Sequence, residues 1–340
     1  MTLKAIQYND GVLTLLDQTK LPHDITYIDY TDYEAIAVAI EDMVVRGAPA
    51  IGITAAYGVV LGALQYKGED DFLHYMESVI QRLANTRPTA INLLWALNRM
   101  KKVVTRDVNP TIKALETLAQ TIFEEDKKIN ERIGHHTLSL IQENSTFITH
   151  CNPGSLATST LGTATAGFYL AHEQGIPFKV FSDETRPRFQ GALTAFELSQ
   201  AGINVTTITD STAASVLQQQ EVTAVIVGCD RVALNGDVVN KIGTLPLAIA
   251  AKFYNVPFYV AAPTPTFDLT VNSGDDIPIE ERNAREVTHI QDIQTAADVP
   301  VYNPAFDITP HDLITGLITE YGIIEANEQA ITKLFEEIGG

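Results

Sequence analysis

A chain of 340 residues, 45% hydrophobic and 19% charged, is long enough for two domains and apolar enough to fill their cores. A formal net charge of −19, from 42 acidic and 23 basic residues, argues against a broad grip on nucleic-acid backbones and against attraction to anionic membranes. Two cysteines exclude a disulfide framework and a cysteine-rich zinc site, and Met1-Thr2-Leu3-Lys4 opens no secretory signal, so a cytoplasmic protein is expected.

The first thirty residues read as short strands, with Gly11 marking a turn between Ala5–Tyr8 and Val12–Leu16. Apolar spacing predicts a helix over Tyr33–Val45, closed by Arg46-Gly47-Ala48-Pro49, where a second helix starts. Gly47–Tyr66 is 20 residues without charge, about the length of a membrane span. Its four glycines and five alanines suit a buried helix packed closely on its neighbours instead. Further helices are expected over Phe72–Ala84, after Pro88, and as one long amphipathic helix over 111–143. Residues 1–143 therefore read as a mostly helical N-terminal domain with a small β start.

The pattern then changes. Strands are expected at Thr146–His150, Phe178–Ser182, Val205–Thr209, Ala224–Gly228 and Phe258–Ala262. Helices alternate with them at Ala192–Ala201, Ser211–Gln219 and Leu245–Tyr254. Strands alternating with helices of this length predict a Rossmann-like, doubly wound parallel α/β sheet over 144–340.

In such a sheet ligands bind beyond the carboxyl ends of the strands, and polar residues collect there. These are His150-Cys151-Asn152, Asp183-Glu-Thr-Arg186, Asp210-Ser-Thr212 and Cys229-Asp230-Arg231, with Asn235-Gly-Asp237 and Asn240-Lys241 following. The 23 acidic residues of 151–340 face only nine basic ones, and four of those nine, Arg186, Arg188, Arg231 and Lys241, lie in two short stretches. Scarce positive charge beside glycines suits an anionic ligand. No dinucleotide-binding glycine motif, phosphate-binding loop, metalloprotease helix or nucleophile elbow is present, and His135-His136 reads as a solvated pair.

Cys151 reads either as a small core residue or as a thiol polarised by helix N-terminal amides at the sheet mouth, and its position favours the second. His150 is its neighbour, but adjacent strand residues point to opposite faces, which argues against a dyad. Cys229 reads as core. Asp230 is either a cap or a partner of Arg231, or else a poorly solvated carboxyl that keeps its proton and serves as a general acid. Arg46 and Arg87 each precede a helix start, where an arginine and helix N-terminal amides together can clamp phosphate. Asn240-Lys241 offers further donors.

Seven segments in order carry a resemblance. They are Arg46-Gly-Ala-Pro-Ala-Ile-Gly52, Thr86-Arg-Pro-Thr89, Thr149-His-Cys-Asn152, Asp183-Glu-Thr-Arg-Pro187 with Gln190-Gly191, Gly228-Cys-Asp-Arg231, Asn235–Thr244 and Asn303-Pro-Ala-Phe-Asp307. From near Arg46 to the C-terminus the chain resembles the methylthioribose-1-phosphate isomerase family. That family is related to ribose-1,5-bisphosphate isomerases and to regulatory subunits of a eukaryotic translation initiation factor.

The resemblance implies a cytoplasmic homodimer, without metal or organic cofactor, that converts 5-methylthioribose 1-phosphate to 5-methylthioribulose 1-phosphate in methionine salvage. It also implies Asp230 as the acid, Cys151 as its catalytic partner, and Arg46, Gly47, Ala48, Arg87, Gln190, Asn240 and Lys241 as substrate ligands. After Gln190-Gly191-Ala192 this chain is one residue and one positive charge shorter than the family pattern. That leaves open a 5-deoxyribose 1-phosphate substrate, ribose 1,5-bisphosphate with Arg186 or Arg188 as a second clamp, and a non-catalytic sugar-phosphate-binding or regulatory relative.

Overall fold

The computed structural model describes residues 3–68, 71–87 and 90–339. The chain divides into two compact units. One comprises Met1–Glu131 and Gly154–Gly162, the other Arg132–Pro153 and Thr163–Gly340.

The first unit opens with β1 (Ile6–Asn9), β2 (Val12–Leu16) and β3 (Tyr27–Tyr30), an antiparallel sheet in that order. Helices α1 (Tyr33–Glu41), α2 (Ala48–Leu64), α3 (Phe72–Ala84) and α4 (Ile91–Lys101) follow. The expected helix over Tyr33–Val45 stops at Glu41 because Met43 takes a left-handed conformation (φ 62°) that an α-helix cannot continue. The Pro88 helix start lies outside the described residues. Helix α2 is apolar on every side, and Ala50 to Ala63 is buried without a break, as a helix surrounded by neighbours must be. No helix among the described residues is long and apolar enough to cross a membrane.

Helix α5 (Val108–Leu138) begins and ends earlier than the expected 111–143 and runs from the first unit into the second. The second unit continues with β4 (Ser145–Thr149), α6 (Ala166–Glu173), β5 (Phe178–Asp183), α7 (Gln190–Gln200), β6 (Val205–Ile208), α8 (Ala213–Gln219) and β7 (Ala224–Val227). A hairpin of β8 (Arg231–Ala233) and β9 (Val238–Lys241) comes next, then α9 (Thr244–Phe253) and β10 (Phe258–Ala261). The short β11 (Phe267–Asp268), α10 (Arg285–Thr288), β12 (His289–Ile290) and β13 (Ile293–Gln294) precede β14 (Phe306–Thr309), β15 (Gly316–Thr319), β16 (Gly322–Ile324) and α11 (Glu328–Ile338).

The main sheet has the order β16-β15-β10-β7-β4-β5-β6 and is parallel except for β16. Every residue of β4 and β7 is buried, as central parallel strands covered on both faces require. From β4 the chain winds outward through β5 and β6, then returns to the other side of β4 with β7 and winds away through β10 and β15. The direction reverses between β4 and β7, and in open α/β sheets the crevice at that reversal is where ligands bind. A smaller sheet, β11-β8-β9-β14, stands beside it in this unit. Its hairpin was not expected from sequence, although Asn235-Gly236, with Gly236 at φ 92°, is a strong hairpin-turn pair.

Candidate functional site

Strand β4 ends at Thr149; His150 follows, and then Cys151, which adopts φ 64° while remaining partly accessible. A left-handed non-glycine residue costs about 1–3 kcal/mol and persists only where its surroundings impose it. Here the Cys151 amide donates to Thr185 Oγ1 at 2.8 Å, and its carbonyl accepts from Thr194 Oγ1 at 2.8 Å. Asn152 donates from Nδ2 to Thr194 Oγ1 at 2.9 Å and to buried Glu197 Oε1 at 2.8 Å. The neighbouring strand end is built likewise. Thr185 has φ 61°, and its amide and that of Arg186 each donate to an oxygen of Asp210 at 2.8 Å.

Beyond β5, Phe189 is also left-handed (φ 60°) and stands at the start of α7, which has no side-chain cap. Gly191 is required there, because a Cβ would lie 1.5 Å from the Asp183 carbonyl oxygen. Gln190, on the first turn, is 8% exposed, and its Oε1 is buried without a hydrogen-bond partner. Helix α7 thus starts without a side-chain cap, its Ala192 amide donating to the Phe189 carbonyl at 3.1 Å, beside a buried carbonyl oxygen able to accept from a ligand hydroxyl.

Asp230 lies between β7 and β8, half-buried, with its amide donating to the Val239 carbonyl at 3.0 Å. Arg231 pairs with Asp268 at 3.5 Å. Register places Cys151 and Asp230 beyond the carboxyl ends of the two strands that flank the reversal, since Phe147 pairs with Ala224 and Ile148 with Val225. The chains come close here, because a Cβ on Gly228 would lie 2.9 Å from Pro153 Cβ. Asn240 is buried and donates from Nδ2 to Thr244 Oγ1 at 3.0 Å. Lys241 Nζ donates to the Ala305 carbonyl at 3.0 Å and lies 4.4 Å from the Phe306 ring centroid. The second unit therefore carries Cys151, Gln190, Asp230, Asn240 and Lys241. The first unit carries Arg46, Gly47 and Ala48 at the start of α2, whose N-terminus also lacks a side-chain cap, and half-buried Arg87.

Cys229, Arg186 and Arg188 each have partners within the protein. Cys229 Sγ lies 3.4 Å from Thr266 Oγ1, and burial pushes its thiol up to about 12, which makes it inert at neutral pH. Arg186 donates to the Pro187 and Val287 carbonyls at 2.9 and 3.1 Å and lies 5.0 Å from the Phe189 ring, while Arg188 pairs with Glu286 at 3.0 Å.

Strand-end position singled out His150, Asp183 and Asp210 in the sequence but not their grouping. His150, Asp183 and Asp210 bring ligand-type atoms within 4.8 Å of one another. Both His150 nitrogens already have partners, Asp183 Oδ2 at 3.0 Å and the Ile242 carbonyl at 2.9 Å, and both Asp210 oxygens accept amides. Asp307 accepts the Gly243 amide at 2.8 Å at the start of α9, so that helix N-terminus already holds an anion. The available signal was His150 and Asp210 just beyond strand ends and Asp183 as the last residue of β5; Asp307, inside β14, gave none.

Burial raises the Asp307 carboxyl from 3.8 to about 6, and its Oδ1 has no hydrogen-bond partner. A raised carboxyl holds its proton more tightly in the folded state, so its contribution to stability is greatest below pH 3.8, falls as pH rises to about 6, and is level above. Asp307→Asn keeps an acceptor for Gly243 and has no charge to bury. It is expected to be more stable than the unchanged chain by about 1–2 kcal/mol at pH 8 and by little at pH 4, after discounting for partial exposure. Thermal melts of both proteins at the two pH values check this.

The initiation factor 2 subunit family model matches residues 44–326. The chain is 52% identical to 5-deoxyribose 1-phosphate isomerase of Bacillus cereus, over 98% of this chain and 99% of that protein. Among solved structures, 5-methylthioribose 1-phosphate isomerase of Pyrococcus horikoshii is 42% identical with a TM-score of 0.93, covering 98% of this chain and 96% of that one. The delta subunit of translation initiation factor eIF-2B from A. fulgidus is 40% identical with a TM-score of 0.89, covering 98% and 100%.

Proposed function

We propose that this chain, which belongs to the initiation factor 2 subunit family, is an aldose–ketose isomerase of a sugar 1-phosphate, with 5-deoxyribose 1-phosphate as its substrate. The observation that carries the reading is the placement of Cys151 and Asp230 beyond β4 and β7, at the reversal of the sheet. The name of the Bacillus cereus relative supports the choice of sugar. Engagement of Arg186 with carbonyl groups and of Arg188 with Glu286 disfavours a second phosphate on the substrate.

A sugar 1-phosphate has its anomeric oxygen esterified, so its ring cannot open as a free aldose does. The ring oxygen must gain a proton as its bond to C1 breaks, and Asp230, entering as the acid, supplies it. The C2 hydrogen moves to C1, the C2 hydroxyl gives up its proton to Asp230, and C2 becomes the ketone. Cys151 lines the face on which the hydrogen moves. Gln190, Asn240 and Lys241 hold the substrate in the second unit. The resemblance carries phosphate contacts to Arg46, Gly47, Ala48 and Arg87, and the start of α2, which has no side-chain cap, suits an anion.

5-Methylthioribose 1-phosphate is the second reading, favoured by the Pyrococcus horikoshii structure. The two sugars differ by a thiomethyl group, and a pocket separates such apolar differences by only about 10–200-fold. The full-length protein is therefore assayed with both sugars and with ribose 1,5-bisphosphate. The expected order of kcat/KM is 5-deoxyribose first, methylthioribose second and the bisphosphate last. Methylthioribose turning over faster reverses the substrate choice. No turnover of any of the three removes the isomerase and favours a binding role like that of a regulatory subunit.

A further inference from the structure

His150 is fully buried and both of its ring nitrogens face acceptors. The Ile242 carbonyl, 2.9 Å from Nε2, can only accept, so Nε2 carries a hydrogen. Between Nδ1 and Asp183 Oδ2, 3.0 Å apart, a second proton must lie, whichever group owns it. The ring bridges three segments. Its own residue precedes Cys151. Asp183 ends β5, and its carbonyl accepts from Thr185 Oγ1, which in turn receives the Cys151 amide. The Ile242-Gly243 turn follows Asn240-Lys241, and a Cβ on Gly243 would lie 2.7 Å from the ring's Cε1.

Resting on the isomerase reading, we propose that His150 and Asp183 are positioning residues for that reaction, sharing one proton to hold Cys151 and the Asn240-Lys241 strand end in a single register. Neither touches substrate. The charged groups facing the ring are Asp183 on β5, Asp210 after β6 and Asp307 on β14. Burial opposes charge on the imidazole, but the Asp183 hydrogen bond and these carboxylates outweigh it and hold the ring above the ordinary histidine range. As pH rises through that elevated value the shared proton leaves. Two buried acceptors then face each other, and the register is lost.

The test uses the full chain with His150→Phe and Asp183→Asn. The first keeps ring volume and loses both hydrogen bonds. It strands a buried carboxyl and can fail to fold, so the second is made beside it. In Asp183→Asn the amide donates to Nδ1, and no shared proton remains to be lost. Thermal melts establish that each variant is folded. His150→Phe is expected to lose about 10²-fold in kcat with KM nearly unchanged, the scale of a small misplacement of reacting groups. Asp183→Asn is expected to lose about 10-fold, with the alkaline limb of the kcat profile displaced by about one pH unit or more.

A second readout needs no sugar. Iodoacetamide labelling of Cys151, followed by mass spectrometry, is expected to change in rate by about fivefold or more in both variants, because thiol reactivity follows local surroundings. A folded Asp183→Asn chain with unchanged labelling and an unchanged kcat profile overturns the proposal. An unmutated chain that isomerises no sugar 1-phosphate counts against the isomerase reading alone, and labelling still reads the register.

Discussion

Asp230→Asn is expected to lower kcat by about 10²–10⁴-fold, the usual worth of a general acid, while substrate affinity stays within about threefold. The amide keeps the shape of the side chain, and the backbone bond from Asp230 N to the Val239 carbonyl is untouched, so the turn between β7 and β8 should survive. What the variant lacks is a proton to give to the ring oxygen. Steady-state assays with 5-deoxyribose 1-phosphate, together with direct titration of the same sugar, separate the two quantities. A variant that keeps full turnover removes Asp230 from the chemistry.

The second large effect concerns Cys151 and runs in opposite directions for activity and stability. Its left-handed backbone, φ 64°, is one that glycine adopts freely and a residue with a Cβ adopts at a cost. Cys151→Gly removes the thiol and the strain together. Activity should fall by about 10²-fold or more, on the scale of losing a group that assists proton transfer. The variant's Tm should be no lower than that of the unchanged chain and up to about 2–4 °C higher, for a net gain of about 1 kcal/mol in a unit of this size. Cys151→Ala should lose the same activity without the gain. A glycine variant that retains turnover, or that melts well below the unchanged chain, contradicts the view that this position bears strain for the sake of its sulfur.

Much of the second unit was legible because its strands are short, apolar and separated by helices of regular length. Thr146–His150 is displaced by one residue at both ends, and Phe178–Ser182 and Ala224–Gly228 by one at the last, as hydrogen-bonded ladders finish where the chain turns away. The hairpin β8–β9 was hidden because Arg231-Val-Ala is too short to show alternation, and the residues around it read as a motif. At the site, Cys151 and Asp230 were legible from strand-end position. The roles of Thr185, Thr194 and Glu197 were not, since their importance lies in hydrogen bonds to residues more than thirty positions away. The burial of His150 against Asp183 belongs to the same class, because pairing across β4 and β5 sets that contact and local sequence does not.

The first unit is discontinuous in sequence, being completed by Gly154–Gly162. Gln18 donates to the Leu156 carbonyl at 2.7 Å, Asp126 accepts the Ser159 amide at 2.8 Å, and Asn130 donates to the Thr160 carbonyl at 3.3 Å. On the ribosome, the N-terminal half of the nascent chain therefore cannot finish folding when its own helices have been made. It must wait until β4 and the nine residues beyond Pro153 have left the exit tunnel. A gene truncated between the two halves would deliver a fragment lacking its last piece.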